Sequence, residues 1–264
     1  MARITASRYV TDLVASGRYT FTTAQAQAAL GVSQAAVQAA LRRLRSKRVI
    51  AVPARGFHVI VPPEYRHLGC LPASEFVPEL MEQHFQAPYY AGLLTAAELH
   101  GAAHHKPQVF QVVTDRNRRP AGAGRIRIVF FAKADIESTP TAQKATRLGF
   151  LRVSTPEATA FDLVSYLQAA GGLDHVATVL AELAESLDPI QLGRLAHSVP
   201  MVVAQRLGFL LDLVGQSAVA EPLAAIVTQA SPPMTPLRTG RSLRGAERDR
   251  KWRLGVNTVV EPDV

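Results

Sequence analysis

At 264 residues, 48% hydrophobic and 19% charged, the chain is long enough for two packed cores and too apolar to be disordered. No stretch approaches the roughly 18 continuous apolar residues of a membrane helix, the opening MARITASRYVTD lacks an apolar leader core, and one cysteine, Cys70, excludes an intrachain disulfide and a cysteine-based zinc site. The formal net charge of +8 is unevenly placed: residues 1–66 carry ten Lys/Arg against Asp12 and Glu64, and the remainder is neutral. A positive field segregated in this way is what a polyanion-binding module shows, and a face that merely aids solubility would not leave the larger part neutral.

In chain order, residues 3–16 predict a helix with an apolar stripe of Ile4, Val10, Leu13 and Val14, ended by Gly17. Thr22 and Gln25 have the spacing of a capping box, which starts a second helix near Thr23 that runs to Leu30. Gly31-Val32-Ser33 supplies a tight turn, Val32 plugs the interhelical core, and Ser33 caps a third helix. On that helix Val37, Leu41 and Leu44 share one face, which leaves Gln34, Ala35, Gln38, Arg42 and Arg45 for the other. Residues 49–53 and 57–61 are β-rich runs around Ala54-Arg55-Gly56, a short wing with Arg55 at its tip.

Together these are the parts of a winged helix-turn-helix for double-stranded DNA. Gln34 and Gln38 could each pair with an adenine edge and Ala35 could touch a thymine methyl, with Ser33 counted among the DNA-binding residues at the helix start. Arg42, Arg43, Arg45, Lys47, Arg48 and Arg55 suit phosphates, or the minor groove for Arg55.

Pro62-Pro63 closes the module, and the Pro-rich, aperiodic residues 63–74 predict a linker between domains 1–62 and 75–264. An apolar helical patch over 74–85 and a turn at Pro88-Tyr89-Tyr90 follow, and Thr95 and Glu98 form a second capping box for a short helix ending at His100-Gly101. Residues 108–114, 125–132 and 148–153 read as strands of a small mixed or antiparallel sheet. From Pro156 the pattern is helical: one helix to Gly171-Gly172, then 173–186, 189–197, 200–214 and 217–227. Residues 229–251 read as a long surface loop and 252–260 as a last extended segment. The fold class expected is therefore α+β: a winged helix-turn-helix, then a larger mixed domain with a small sheet and a helical C-terminal part.

Several stretches of this larger part, YYAGLLTAAELHG (89–101), VSTPEATAFDLVSYLQAAGG (153–172), RLGFLLDLVG (206–215) and WRLGVN (252–257), resemble the AbiEi family. Its members are antitoxins and transcriptional regulators of type IV toxin–antitoxin (abortive infection) loci. The resemblance implies a bacterial cytoplasmic autorepressor that binds operator DNA through its winged helix. It also implies a C-terminal antitoxin domain that counters a nucleotidyltransferase-like toxin without clamping it in a stable complex. The insert around 229–251 departs from the family pattern.

Other readings are weaker. His100, His104 and His105 invite a metal site, but Gly101 ends the helix and no carboxylate or Cys stands at ligand spacing. Gly171-Gly172 lacks the Lys-Ser/Thr of a P-loop and reads as a helix stop. No paired carboxylates or nucleophile elbow are visible, so neither enzyme, cofactor nor metal is expected, and a nuclease is the least supported class. Arg116, Arg118, Arg119, Arg125 and Arg127 form a possible second phosphate or nucleic-acid surface, or else a solvated hairpin paired with acids such as Asp115 and Asp135. The remaining alternative is a winged-helix regulator whose C-terminal domain senses a small ligand.

Overall fold

The computed structural model describes residues 4–102 and 107–263. It is an α+β protein with two compact units: Met1–Ala91, Gln108–Ser138 and Gln143–Val153 form one, and Gly92–Pro107, Thr139–Ala142 and Ser154–Val264 the other.

The first unit begins with α1 (Ala6–Ala15), β1 (Thr20–Thr22), α2 (Thr23–Leu30), α3 (Gln34–Ser46), β2 (Ile50–Ala54) and β3 (Phe57–Ile60). Thr5, not residue 3, opens α1 by accepting from Arg8 N–H, and the expected stripe is narrower: Val10 and Leu13 are buried, but Ile4 is 45% exposed. The capping box of α2 forms as the spacing predicts, with Thr22 Oγ1 accepting from Gln25 N–H and Gln25 Oε1 from Thr22 N–H. Gly31 ends α2 in the left-handed region at φ 60°. Val37, Leu41 and Leu44 of α3 are buried with Phe21, Ala26 and Leu30, and Val32 packs against them. Each large apolar side chain so placed contributes about 1.5–3 kcal/mol.

The strand β1 was not expected. It lies antiparallel to β3, giving the order β1-β3-β2. The register of β2 with β3 shifts between Ala51 and Ala54, where Pro53 has no amide to donate.

The segment 63–74, expected as a linker, is exposed at its start and buried at Cys70, Leu71 and Ala73. Cys70 and Leu71 are fully buried, and burial pushes the Cys70 thiol up to about 12, so it is no nucleophile. The apolar patch at 74–85 is not one helix but a 3-10 turn, a short α4 (Val77–Glu79) and a π-type segment, Leu80–Phe85. The expected turn at Tyr89-Tyr90 is a strand, β4 (Tyr89–Ala91). The chain then leaves this unit for α5 (Leu93–Leu99) and returns as β5 (Phe110–Thr114), β6 (Ala121–Ala123) and β7 (Ile126–Ala132).

With β8 (Thr141–Ala145) and β9 (Phe150–Ser154) these strands form a six-stranded mixed sheet, larger than expected, in the order β6-β7-β5-β4-β9-β8. β5 runs parallel to β7 and antiparallel to β4, while β6 folds back on β7 as an edge hairpin.

The second unit is mainly helical. α5 starts at Leu93 behind Gly92, so Thr95 lies buried inside the helix and is not its cap. His100 Nε2 lies 2.7 Å from the Ser154 carbonyl oxygen, while His104 and His105 fall outside the described residues. No metal-holding cluster occurs among the described residues.

α6 (Pro156–Ser165) stops six residues before Gly171, and the chain turns through 166–171 into α7 (Leu173–Leu183). α8 (Pro189–Ala196), α9 (Met201–Leu213) and α10 (Ser217–Ala230) complete the bundle. The expected loop at 229–251 contains β10 (Thr235–Pro236) and β11 (Glu247–Asp249), which flank β12 (Leu254–Val256), and Leu237 is fully buried.

Two of the stretches that carry the family resemblance interlock here. Trp252 lies over Gly208 of α9 so closely that any Cβ there would overlap the indole. Gln205 Nε2 donates to the Trp252 and Arg253 carbonyls at 3.0 and 3.1 Å, and Trp252 Nε1 donates to Asp212 at 2.7 Å. Overpacking of such a contact costs about 1–3 kcal/mol. Gly208→Ala is accordingly expected to lower the urea midpoint and red-shift the emission of Trp252, the chain's single tryptophan. Unchanged stability and emission would contradict this packing.

Candidate nucleic-acid interface

The interface is built on α3. Ser33 accepts at its Oγ from Ala36 N–H at 3.4 Å, so its hydroxyl starts the helix. With Val37, Leu41 and Leu44 facing inward, Gln34, Ala35, Gln38, Arg42, Arg43 and Arg45 are exposed, as are Lys47 and Arg48 just beyond the helix and Arg55 at the β2–β3 turn. Arg48 has a left-handed backbone, φ 55°, with its amide bonded to the Arg45 carbonyl, which turns the chain out of α3.

Beneath this face, Phe21 stacks on His58 with ring centroids 5.0 Å apart, and His58 Nε2 meets Thr23 Oγ1 at 2.9 Å. These contacts lock β3 to the start of α2.

The second group of cations divides. Asp115 holds Arg118 at 3.4 Å and Arg116 at 3.9 Å, and Arg118 also lies over the Phe85 ring at 4.8 Å. Arg127 Nη1 donates to the carbonyls of Gly124 and Ile126 at 2.8 and 3.1 Å. Arg116 and Arg118 thus have an acid beside them and Arg127 has backbone carbonyls, while Arg116 and Arg127 stay exposed. Arg119 is exposed at the approach to β6.

Arg125 is placed differently. The β6–β7 turn meets the 66–69 turn backbone to backbone, with Arg125 N–H donating to the Leu68 carbonyl at 2.8 Å. A Cβ on Gly124 would overlap that carbonyl, and one on Gly69 would come within 2.9 Å of Gly124 Cα. This approach brings Arg125 to a cleft of about 390 Å³ that is also lined by Arg45, Arg48, Arg66 and His67. No carboxylate lines it among the described residues. Arg66 and His67 were missed at the level of sequence because residues 63–74 read as a linker. The only signal was the glycine-rich tip at 122–124.

A further tie runs from the other side. Arg147 pairs with Glu64 at 3.2 Å and lies over Tyr65 and Tyr19 at 5.1 and 5.7 Å, while Glu75 accepts from Arg147 N–H and Leu148 N–H at 3.4 and 3.0 Å. The loop between β8 and β9 is thereby fastened to the N-terminal segment.

Comparison with known proteins identifies the larger part. Residues 90–213, from β4 to the end of α9, match the family model described as AbiEi antitoxin C-terminal domain. Residues 90–213 belong to the AbiEi antitoxin C-terminal domain family. The fold is similar to the crystal structure of the RV2827C protein from Mycobacterium tuberculosis, at a TM-score of 0.66 and 19% identity, covering 96% of this chain and 92% of that one. At that identity the likeness is one of fold. A solution structure of the antibiotic-resistance factor ANT(2'')-Ia matches at a TM-score of 0.26 and 13% identity, over 57% of this chain and 91% of that one, and carries no argument. No curated protein matches the chain. No helix among the described residues is long and apolar enough to cross a membrane.

The buried histidine gives the N-terminal segment a pH dependence. Burial pushes His58 down to about 4, and the nearby charges of Arg45 and His84 add to the effect. Below the ordinary histidine pKa the unfolded chain takes up a proton that the folded chain refuses, so stability is full above pH 6.5 and falls as pH drops towards 4. The loss expected from this group is of order 3 kcal/mol. Urea unfolding between pH 7.5 and 4.5 should show a flatter profile for His58→Asn than for the native chain, and parallel profiles would contradict the assignment.

Proposed function

We propose that this protein is the DNA-binding autorepressor and antitoxin of a type IV toxin–antitoxin system. In this reading residues 1–62 are a winged helix-turn-helix, and the domain beyond residue 74 counters a nucleotidyltransferase-like toxin without holding it in a stable complex. Membership of residues 90–213 in the AbiEi family supports the antitoxin role. The observation that carries the DNA reading is the exposed basic face of α3, which continues into the cleft where Arg45, Arg48, Arg66 and Arg125 converge.

The chemistry separates by position. Gln34 and Gln38, on the N-terminal half of α3, suit base edges in the major groove, with Ser33 beside them. Arg42, Arg43, Arg45, Lys47 and Arg48 suit phosphates, and Arg55 reaches from the wing. Arg125 extends the phosphate surface onto the β6–β7 hairpin. Arg116, Arg118, Arg119 and Arg127 contribute less, since Asp115 and backbone carbonyls occupy three of them.

Anisotropy titrations of the full chain on duplex DNA from its own promoter, across a salt series, test this. Affinity should fall steeply with salt, and Arg45→Ala and Arg125→Ala should each reduce the slope by about one while weakening all sequences alike. Gln38→Ala should cost about 1–3 kcal/mol on the operator and little on unrelated DNA. A salt-independent affinity would overturn the DNA reading, and an Arg125 variant that matches the native chain would remove the hairpin from it. Co-expression with the neighbouring toxin gene tests antitoxicity separately. Rescue of growth should survive Arg45→Ala, and loss of rescue in that variant would place antitoxicity on the DNA face.

A further inference from the structure

The second unit contains a cavity of about 640 Å³ that the DNA reading does not use. One wall is the 164–174 segment linking α6 to α7, another is Arg206 of α9, and a third is Arg238-Thr239 beyond β10. The volume lies within the 300–1,000 Å³ or so of small-molecule sites.

Its charged groups are two arginines and one acid, Asp174. Arg206 Nη2 donates to the Pro236 carbonyl and to Thr239 Oγ1, both at 3.0 Å, which fixes the guanidinium, and its Nε–H is buried with no partner. The Arg238 backbone is pinned on both sides by the Asn257 side chain, at 2.9 and 3.0 Å, while its guanidinium has no partner among the described residues and stays exposed. Two arginines from separate elements, Arg206 held at its guanidinium and Arg238 at its backbone, therefore line one space.

The start of α7 adds donors to that wall. Gly171 and Gly172 have φ 85° and 92°, no side chain caps the helix, and the first helical bond is from Val176 N–H to the Gly172 carbonyl. The Leu173, Asp174 and His175 amides consequently lack protein partners among the described residues. Asp174 is the acid among the lining residues, and its Oδ1 is occupied by Glu261 N–H at 3.0 Å. Leu167, Leu173 and Val259 supply an apolar side.

We propose that this cavity is a binding site for a small phosphate ester. The phosphoryl group sits between Arg206 and Arg238, where the exposed Arg238 guanidinium can donate two bonds to its oxygens and Arg206, its Nη2 already engaged, supplies Nη1 and its charge. The organic body lies on Leu167, Leu173 and Val259. The cavity is too large for a bare phosphate ion, which is why an ester rather than inorganic phosphate is assigned. This site is independent of DNA binding.

Calorimetric titration of the full chain with phenyl phosphate, using inorganic phosphate and phenol as comparison probes, tests the assignment. Phenyl phosphate should bind at one site per chain, at least about tenfold tighter than inorganic phosphate, and phenol should not bind. Arg238→Ala should weaken phenyl phosphate by about tenfold or more, the scale of a lost charge-assisted bond. Arg206→Lys should also weaken it, because the second guanidinium nitrogen is gone. Arg45→Ala and Arg125→Ala serve as controls for binding at the other basic face and should leave the affinity unchanged. No binding at millimolar phenyl phosphate would overturn the proposal, as would equal binding by the native chain and the Arg238 variant, or loss of binding in the Arg125 variant. Arg238 is exposed, so its variant should fold like the native chain even if the Arg206 variant does not.

Discussion

The constraint on which the first unit depends is the contact between two turns that carry glycine where any side chain would collide. Gly124 and Gly69 approach backbone to backbone, and the Arg125 amide bonds to the Leu68 carbonyl. A Cβ at Gly124 has nowhere to go, since it would meet carbonyl oxygen and backbone carbon, neither of which can rotate away. The β6–β7 hairpin is thereby fixed to the chain that leaves the N-terminal helices. Arg147, paired with Glu64 and stacked over Tyr65, makes a second tie from the β8–β9 loop. The N-terminal segment and the six-stranded sheet accordingly form one compact unit.

This has an electrostatic consequence. The four arginines of the cleft come from the end of α3, the turn after it, the 66–69 turn and the edge hairpin. No carboxylate lines the cleft among the described residues, which is the setting the proposed polyanion partner requires. The proposed DNA surface thus extends beyond the residues that a helix-turn-helix alone would supply. The second unit presents a site of a different kind, a cavity with two arginines and an apolar side, for which a compact ester rather than a duplex is proposed.

What was legible in the sequence is what depends on near neighbours. The α2 capping box, the Gly31 turn, the Ser33 cap and the Val37–Leu41–Leu44 face all rest on contacts within a few residues, and all appear as the spacing predicts. The three-residue strands β1, β4 and β6 were not legible, because so short a run owes its conformation to partners far along the chain, and β8 has no buried face to give it an alternating pattern. Residues 63–74 misled for a related reason: prolines and absent periodicity describe the backbone, while the burial of Cys70 and Leu71 is a tertiary fact.

The basic residues show the same division. Arg116, Arg118, Arg119, Arg125 and Arg127 look alike in sequence, yet Asp115 and local carbonyls occupy three of them and only Arg125 reaches the cleft. Charge count identifies a basic region; long-range backbone contacts decide which cations act together. The resemblance noted in 206–215 and 252–257 likewise acquires a cause, since Gly208 and Asp212 are the seat and the hydrogen-bond acceptor of Trp252.

The central claim is that the exposed face of α3 and the β6–β7 hairpin form one DNA-binding surface. Hydrogen exchange of the full chain, free and bound to duplex DNA from its own promoter, addresses it most directly. The account predicts added protection in residues 33–48, around Arg55 and in residues 122–127 of the same complex. Protection confined to the helices and wing, with 122–127 exchanging as in the free protein, would contradict it.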